Sequence, residues 1–290
     1  MTMGKRRAPQ GELWVATQEL PHSPGHPFYK RLNALLEETG FDEFVEKLCQ
    51  PYYCDDNGRP SIPPGIYFRM LFVGYFEGLT SQRGIAWRCS DSRSLQEFLG
   101  YLPTQATPDH STLTVIRQRL PDDVHEQVFV FVLRIAAAKG LLKGKTTATD
   151  STFLEANAAM KSIERKDSGE DYKTYLKRLA HEAGIEDPSD DDLRRFDKKR
   201  PNKKVSNQEW QSRTDPDSRI AKMKDGTTHL AYKAEHVVDL DSNLVLAAEV
   251  HHADRGDTDT LIDSVAAAQL NLMRAGSETK INVSVSPRSA

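Results

Sequence analysis

Cysteine is scarce in this 290-residue chain: only Cys49, Cys54 and Cys89 occur. An odd, sparse set excludes a disulfide framework and points to a reducing compartment, the cytoplasm. Cys49 and Cys54 stand at a zinc-like spacing, but no second Cys or His pair follows to complete four ligands. Long apolar runs are missing too. The best candidate, residues 129–133, meets Arg134 at once and is too short to cross a bilayer, so no membrane partner is expected. The first eight residues are basic, yet no apolar stretch follows them, which excludes a secretory signal. A basic excess is also absent. Thirty-nine Lys and Arg against 42 Asp and Glu give a formal net charge of -3. That excludes a uniformly basic nucleic-acid binder and leaves room for a local basic patch.

What is present suits a globular protein of about two domains, with 28% charged and 38% hydrophobic residues. Residues 1–26 read as an extended basic arm with Pro9, Pro21 and Pro24. Apolar spacing then turns helical through residues 27–48, with Gly40 dividing the stretch in two. A loop follows, turning at Asp55-Asp56-Asn57-Gly58. Residues 65–78 predict a buried helix. Short helices at 82–88 and 93–99 follow, capped by Ser81 and Ser92, either as a helix-turn-helix or as part of a plain bundle. Thr107-Pro108-Asp109 predicts a helix start with Thr107 as its cap, and Pro121-Asp122-Asp123 predicts another, ended by Gly140. Residues 27–144 are therefore expected to form a helical domain, which on the helix-turn-helix reading binds DNA.

At residue 145 the pattern changes. Residues 145–154 are rich in β-branched side chains and predict a strand. Residues 157–224 form a charged insertion with one amphipathic helix around Tyr172, Tyr175, Leu176 and Leu179. Its basic cluster of Arg194, Arg195, Lys198, Lys199, Arg200, Lys203 and Lys204 reads by default as a solvated, mobile face, and alternatively as a contact for DNA phosphates. Trp210 is expected either to cap a local cluster or to stack on a base. Residues 229–239 and 244–252 predict a hairpin, 258–275 a helix and 281–285 a strand. The whole is an α + α/β chain with a mixed sheet in residues 145–290.

Asp150 is the residue that carries chemistry. A carboxylate is out of place in a strand of Thr, Ala and Phe, and a buried one must be hydrogen-bonded or hold a cation. Turn formation at a strand end is the plain alternative.

Ala148-Thr149-Asp150-Ser151-Thr152 and the segment 225–236, with Ser111-Thr112-Leu113, Arg117 and Arg119, resemble the DDE transposases of bacterial insertion sequences. The resemblance covers roughly residues 25–279. It implies a ribonuclease-H-like domain in which Asp, Asp and Glu hold two Mg²⁺ ions for phosphodiester attack. Asp150 is then the first acid and a metal ligand, and Lys233, on a neighbouring strand, is either a phosphate contact or a solvent-exposed strand lysine. The second Asp is expected just past Val285, where residues 284–290 hold no acid. The expectation is an incomplete, inactive ribonuclease-H-like domain in a truncated transposase. The alternative is a remnant that binds transposon ends, or pairs with itself or with a full-length transposase, and represses. Asp254 and Asp257 are read as a helix start, and His251 and His252 as strand-end residues. A nuclease completed by Glu155, Glu235 or Asp239 is the third reading.

Overall fold

The computed structural model of the chain describes residue 16 and residues 24–54, 61–201, 205–223 and 225–285. The basic arm, the turn at 55–58, Lys203, Lys204 and the last five residues thus lie almost wholly outside the described residues. The chain divides into two compact units, residues 1–129 and 130–290.

The first unit is helical. α1 (Pro27–Glu38) and α2 (Phe41–Cys49) are separated at Gly40, whose φ of 67° is left-handed and suits a residue without Cβ. α3 (Pro64–Phe76) is buried on most sides, through Tyr67, Phe68, Arg69, Met70 and Val73. A Cβ on its Gly74 would stand 2.6 Å from Ile85 Cδ1, so glycine lets α4 (Gln82–Asp91) pack closely. Ser92 alone separates α4 from α5 (Arg93–Phe98), so the longer turn of a helix-turn-helix is not formed there. α6 (His110–Arg119) is capped by Asp109 rather than Thr107. The Asp109 carboxylate accepts from Ser111 N at 2.9 Å, and the Ser111 bonds hold its pKa down at about 2. A carboxylate at that position outcompetes an upstream threonine for the orphan amides and the positive helix end. α7 (Asp122–Ala138) follows.

One ion pair ties three of these helices together. Arg69, 6% exposed, forks onto Asp42 with bonds of 2.5 and 2.8 Å, and its Nε donates to Asn33 Oδ1 at 3.0 Å. Its planar guanidinium matches that geometry as a lysine could not.

The second unit takes in the end of α7 and continues with β1 (Thr146–Glu155). β2 (Ile163–Arg165), α8 (Tyr172–Glu182), α9 (Asp190–Lys199), β3 (Trp210–Ser212) and β4 (Arg219–Lys222) make up the insertion. Then come β5 (Thr228–Asp239), β6 (Val245–His252), α10 (Asp257–Arg274) and β7 (Val283–Val285). The hairpin, helix and final strand fall where the sequence predicts them.

β5 pairs antiparallel with β1 on one edge and with β6 and β4 in succession on the other. β7 pairs parallel with the start of β1. The core order is therefore β6-β5-β1-β7, with α10 as the crossover. α10 packs a stripe of Thr260, Ser264, Ala268, Asn271 and Leu272 onto one face of this sheet, and Asn271 donates to Leu246 O at 3.0 Å.

The insertion is folded, and Arg194, Arg195, Lys198 and Lys199 of its basic run lie on a helix and are exposed to solvent. Ser189 and Asp192 form a reciprocal capping box at the start of α9, with bonds of 3.2 and 3.3 Å. Leu193 and Phe196 of α9 then meet Leu176 and Ala180 of α8. Trp210, 2% exposed, packs with Ile163 and Leu230 beneath Tyr172 and Tyr175, which is the local-cluster reading of that residue.

Removing one partner of a buried, hydrogen-bonded ion pair leaves the other charge uncompensated. Asp42→Ala, which strands the buried Arg69 charge, is accordingly expected to destabilise the helical unit by about 3 kcal/mol in urea denaturation. Arg69→Met, which strands only a half-exposed carboxylate, is expected to cost less.

Candidate active site

Alternation along β1 decides which side chains meet. Thr147 and Thr149 are buried and Ser151 half-buried on the face covered by α10, so Ala148, Asp150 and Thr152 occupy the other. Asp150 is exposed there, not buried as its apolar sequence context suggests. Its Oδ1 accepts from Ser151 N at 2.9 Å. Directly across the ladder stands the exposed His236, and beyond it Ala248 of β6. β7 ends beside Ala148, two residues short of Asp150 along β1.

None of the three candidate completing acids lies on this face beside Asp150. Glu155 is five residues along the strand, with opposite parity, and lies 3.5 Å from His229 Nδ1. Glu235 pairs across from Ser151, so it points under α10, where it is 2% exposed. Asp239 closes the β5–β6 hairpin, with Oδ2 accepting from Gly144 N at 2.9 Å and Ser242 Oγ at 2.7 Å.

Asp254 precedes α10 and Asp257 is in its first turn, as expected of a helix start, while Asp259 accepts from Gly256 N at 3.2 Å. His251 lies 3.2 Å from Ser264 Oγ and 3.5 Å from Glu235 Oε2, and His252 is exposed at the strand end. Among the described residues no group of three or more His, Cys, Asp or Glu side chains is placed to hold a metal ion. The described donors therefore do not fit a two-ion site. On the Asp150 face a single carboxylate is present among the described residues.

The basic residues divide sharply. Arg194, Arg195, Lys198 and Lys199 stand on the exposed surface of α9, with Arg194 loosely paired to Asp191 at 3.3 Å. Arg200 is turned inward: its side chain is 11% exposed, bound to Asp197 at 2.8 Å and to Tyr172 Oη at 3.2 Å. Lys233 is not on an accessible surface either. At 2% exposure its Nζ donates to Thr260 Oγ1 at 2.7 Å and meets Asp257 Oδ1 at 2.8 Å. A strand lysine paired with neither solvent nor phosphate corrects both readings offered for it from sequence.

The residues that sequence reasoning missed are Ser151, Asp257, Thr260 and Ser264, which with Lys233, Glu235 and His251 form a polar layer under α10. A signal for them exists. Asp257, Thr260, Ser264 and Asn271 recur at helical spacing on the face that should be apolar, opposite Lys233 and Glu235 two apart on a buried strand.

Asp239 shows what a structural carboxylate looks like here. Burial alone would raise its pKa, but donors from Gly144, Ser242, Asp241 and Lys143 more than offset this and hold it below the ordinary range. A carboxyl lowered in the folded state adds stability above its unfolded pKa of about 4, which is lost as pH falls through the folded value. Asp239→Asn is expected to lower the melting temperature at pH 7 and to flatten the loss of stability below about pH 4. Unchanged melting profiles across that range would contradict this.

Known proteins add one finding. No curated protein and no solved structure matches the chain. Residues 17–119, about a third of the chain and extending through α6, match the model of a transposase domain family, DUF772. Over those residues the chain is similar to that transposase domain family.

Proposed function

We propose that this protein handles transposon DNA as a DDE-type transposase of a bacterial insertion sequence, with a ribonuclease-H-like second unit in which Asp150 is the first acid. The observation that carries the reading is the position of Asp150. It sits on the central strand, between an antiparallel meander and a parallel strand delivered by a crossover helix. That order supports a ribonuclease-H-like sheet, and the N-terminal family match supports the same kind of protein.

In this reading Asp150 offers a carboxylate oxygen to a divalent ion such as Mg²⁺, which when bound would stabilise charge on a phosphodiester. Arg194, Arg195, Lys198 and Lys199 steer and hold the DNA backbone by charge, without reading sequence. Lys203 and Lys204, outside the described residues, continue the same basic run. Arg200 and Lys233 take no part in DNA contact, because their donors are engaged inside the fold. The free state of Cys49, Cys54 and Cys89 fits the reducing cytoplasm, where such DNA lies.

A second reading is favoured by the single carboxylate on the Asp150 face: binding of transposon ends without cleavage, alone or together with another copy or a complete transposase, to repress transposition. Both readings place DNA on this chain: the first makes it a transposase by descent with an incomplete catalytic set, the second a repressor. With one acid in place, the 290-residue polypeptide is expected not to nick supercoiled plasmid in Mg²⁺ or Mn²⁺. Nicking that Asp150→Ala abolishes would show that the catalytic set is complete and would exclude the repressor reading.

DNA binding is tested by fluorescence anisotropy on a labelled duplex across a salt series. Replacing Arg194, Arg195, Lys198 and Lys199 together by Gln is expected to weaken binding. It should also reduce the slope of log K against log salt by roughly 3 to 4, about 0.9 for each phosphate no longer neutralised. An unchanged slope would remove α9 from the interface, and no binding by the parent chain would remove the function itself.

A further inference from the structure

The two sides of α10 reverse the usual order of a surface helix. The side toward the sheet carries Thr260, Ser264 and Asn271 among its buried residues. The side toward solvent carries Ile262, Ala266, Leu270 and Met273, all exposed, with Ile262 at 76% and Met273 at 64%. Steps of four, four and three residues set these four along one stripe of the helix. Gln269, which falls beside them, is engaged with the chain beyond α10, donating to Thr279 O at 3.0 Å and accepting from Ile281 N at 2.9 Å. A single exposed apolar side chain is ordinary, but large ones aligned along a helix mark a surface that meets another molecule.

Charge says what that molecule is. Asp254, Asp259 and Asp263 stand at the N-terminal end of the stripe, and Arg255, bonded to Asp263 at 3.1 Å, offsets one of them. Arg274 stands at the C-terminal end, with Arg134 of α7 donating to its carbonyl oxygen at 3.2 Å. Glu278 and Lys280, just beyond, offset one another. The stripe is thus acidic at one end and basic at the other, so a second α10 running the opposite way matches it in both apolarity and charge.

We propose that two copies of this chain pair through α10, antiparallel about a two-fold axis at the middle of the stripe. A two-fold contact is self-complementary, each residue meeting its counterpart twice. In this register Ile262 faces Met273 of the second copy, and the small Ala266 beside Leu270 lets the helices approach closely. Arg274 comes to Asp259 and Asp263 of the second copy. A parallel pairing would instead set acid against acid and Arg274 against Arg274. The inference goes beyond the proposed function and does not involve Asp150, which lies on the other face of the sheet.

The test is sedimentation velocity of the full chain over a concentration series. A reversible monomer–dimer equilibrium is expected, with a midpoint in the micromolar range because two helices of this length make a small interface. Ile262→Glu combined with Met273→Glu is expected to raise the midpoint more than about tenfold, since like charges then meet in the seam. Its circular dichroism should match the parent, because both side chains are exposed. Arg274→Asp is expected to weaken pairing several-fold, and Arg274→Asp with Asp263→Arg to recover it, which a parallel register would not allow. Asp150→Asn is expected to dimerise like the parent, so the outcome is independent of any ion at Asp150, and loss of pairing leaves DNA binding by α9 untouched. A chain that stays monomeric to its highest soluble concentration would overturn the pairing and leave the stripe to a different partner. A dimer indifferent to Ile262→Glu with Met273→Glu, or one that the charge exchange fails to restore, would overturn it as well.

Discussion

A strand shows its side chains to two faces in strict alternation, and the second unit is built on how β1 divides them. Thr147, Thr149 and Ser151 go under α10, and Ala148, Asp150 and Thr152 go to the open side. Pairing with β5 extends the division across the sheet. Glu235 and Lys233 fall on the covered side and His236 on the open one. A slip of β1 by one residue against β5 would turn Asp150 under α10 and Ser151 to the open side. The Ser151 bond to Asp257 at 3.0 Å is made only in the observed register.

The same ladder separates two kinds of carboxylate that are chemically alike in the sequence. Asp239, fully buried, is surrounded by donors and is spent on the hairpin and the preceding loop. Asp150 keeps one oxygen outward. The difference lies in position along a strand pair, and it makes one acid structural and leaves the other available for chemistry. In the helical unit Arg69 and Asp42 play the structural part, locking α1, α2 and α3 together.

Much of this was legible in the sequence because it depends on periodicity. Gly40, the serine caps, the hairpin at 241–243 and the crossover helix all announce themselves by local chemistry, and each falls where the pattern places it. The insertion was harder. Its basic run reads as a solvated face, and Arg194, Arg195, Lys198 and Lys199 are exposed, while the helix beneath them is signalled only by the Ser189–Asp192 box and by Leu193 and Phe196. Lys233 and Arg200 were misread for a different reason. A sequence shows that a cation is present but not whether a carboxylate from a distant element reaches it, and Asp257 lies 24 residues beyond Lys233. The exposure of Asp150 was likewise hidden, since strand alternation fixes its face only once the position of α10 is known.

The proposal that Asp150 is where a divalent ion meets the open face of the sheet has a direct test. The most direct measurement replaces that ion by Fe²⁺ and, with ascorbate and peroxide, maps where the polypeptide is cut by locally generated radicals. Cuts are expected around residues 148–152 and at the facing His236, and are expected to vanish in Asp150→Asn. Cuts elsewhere in the chain, or the same cuts in Asp150→Asn, would contradict it.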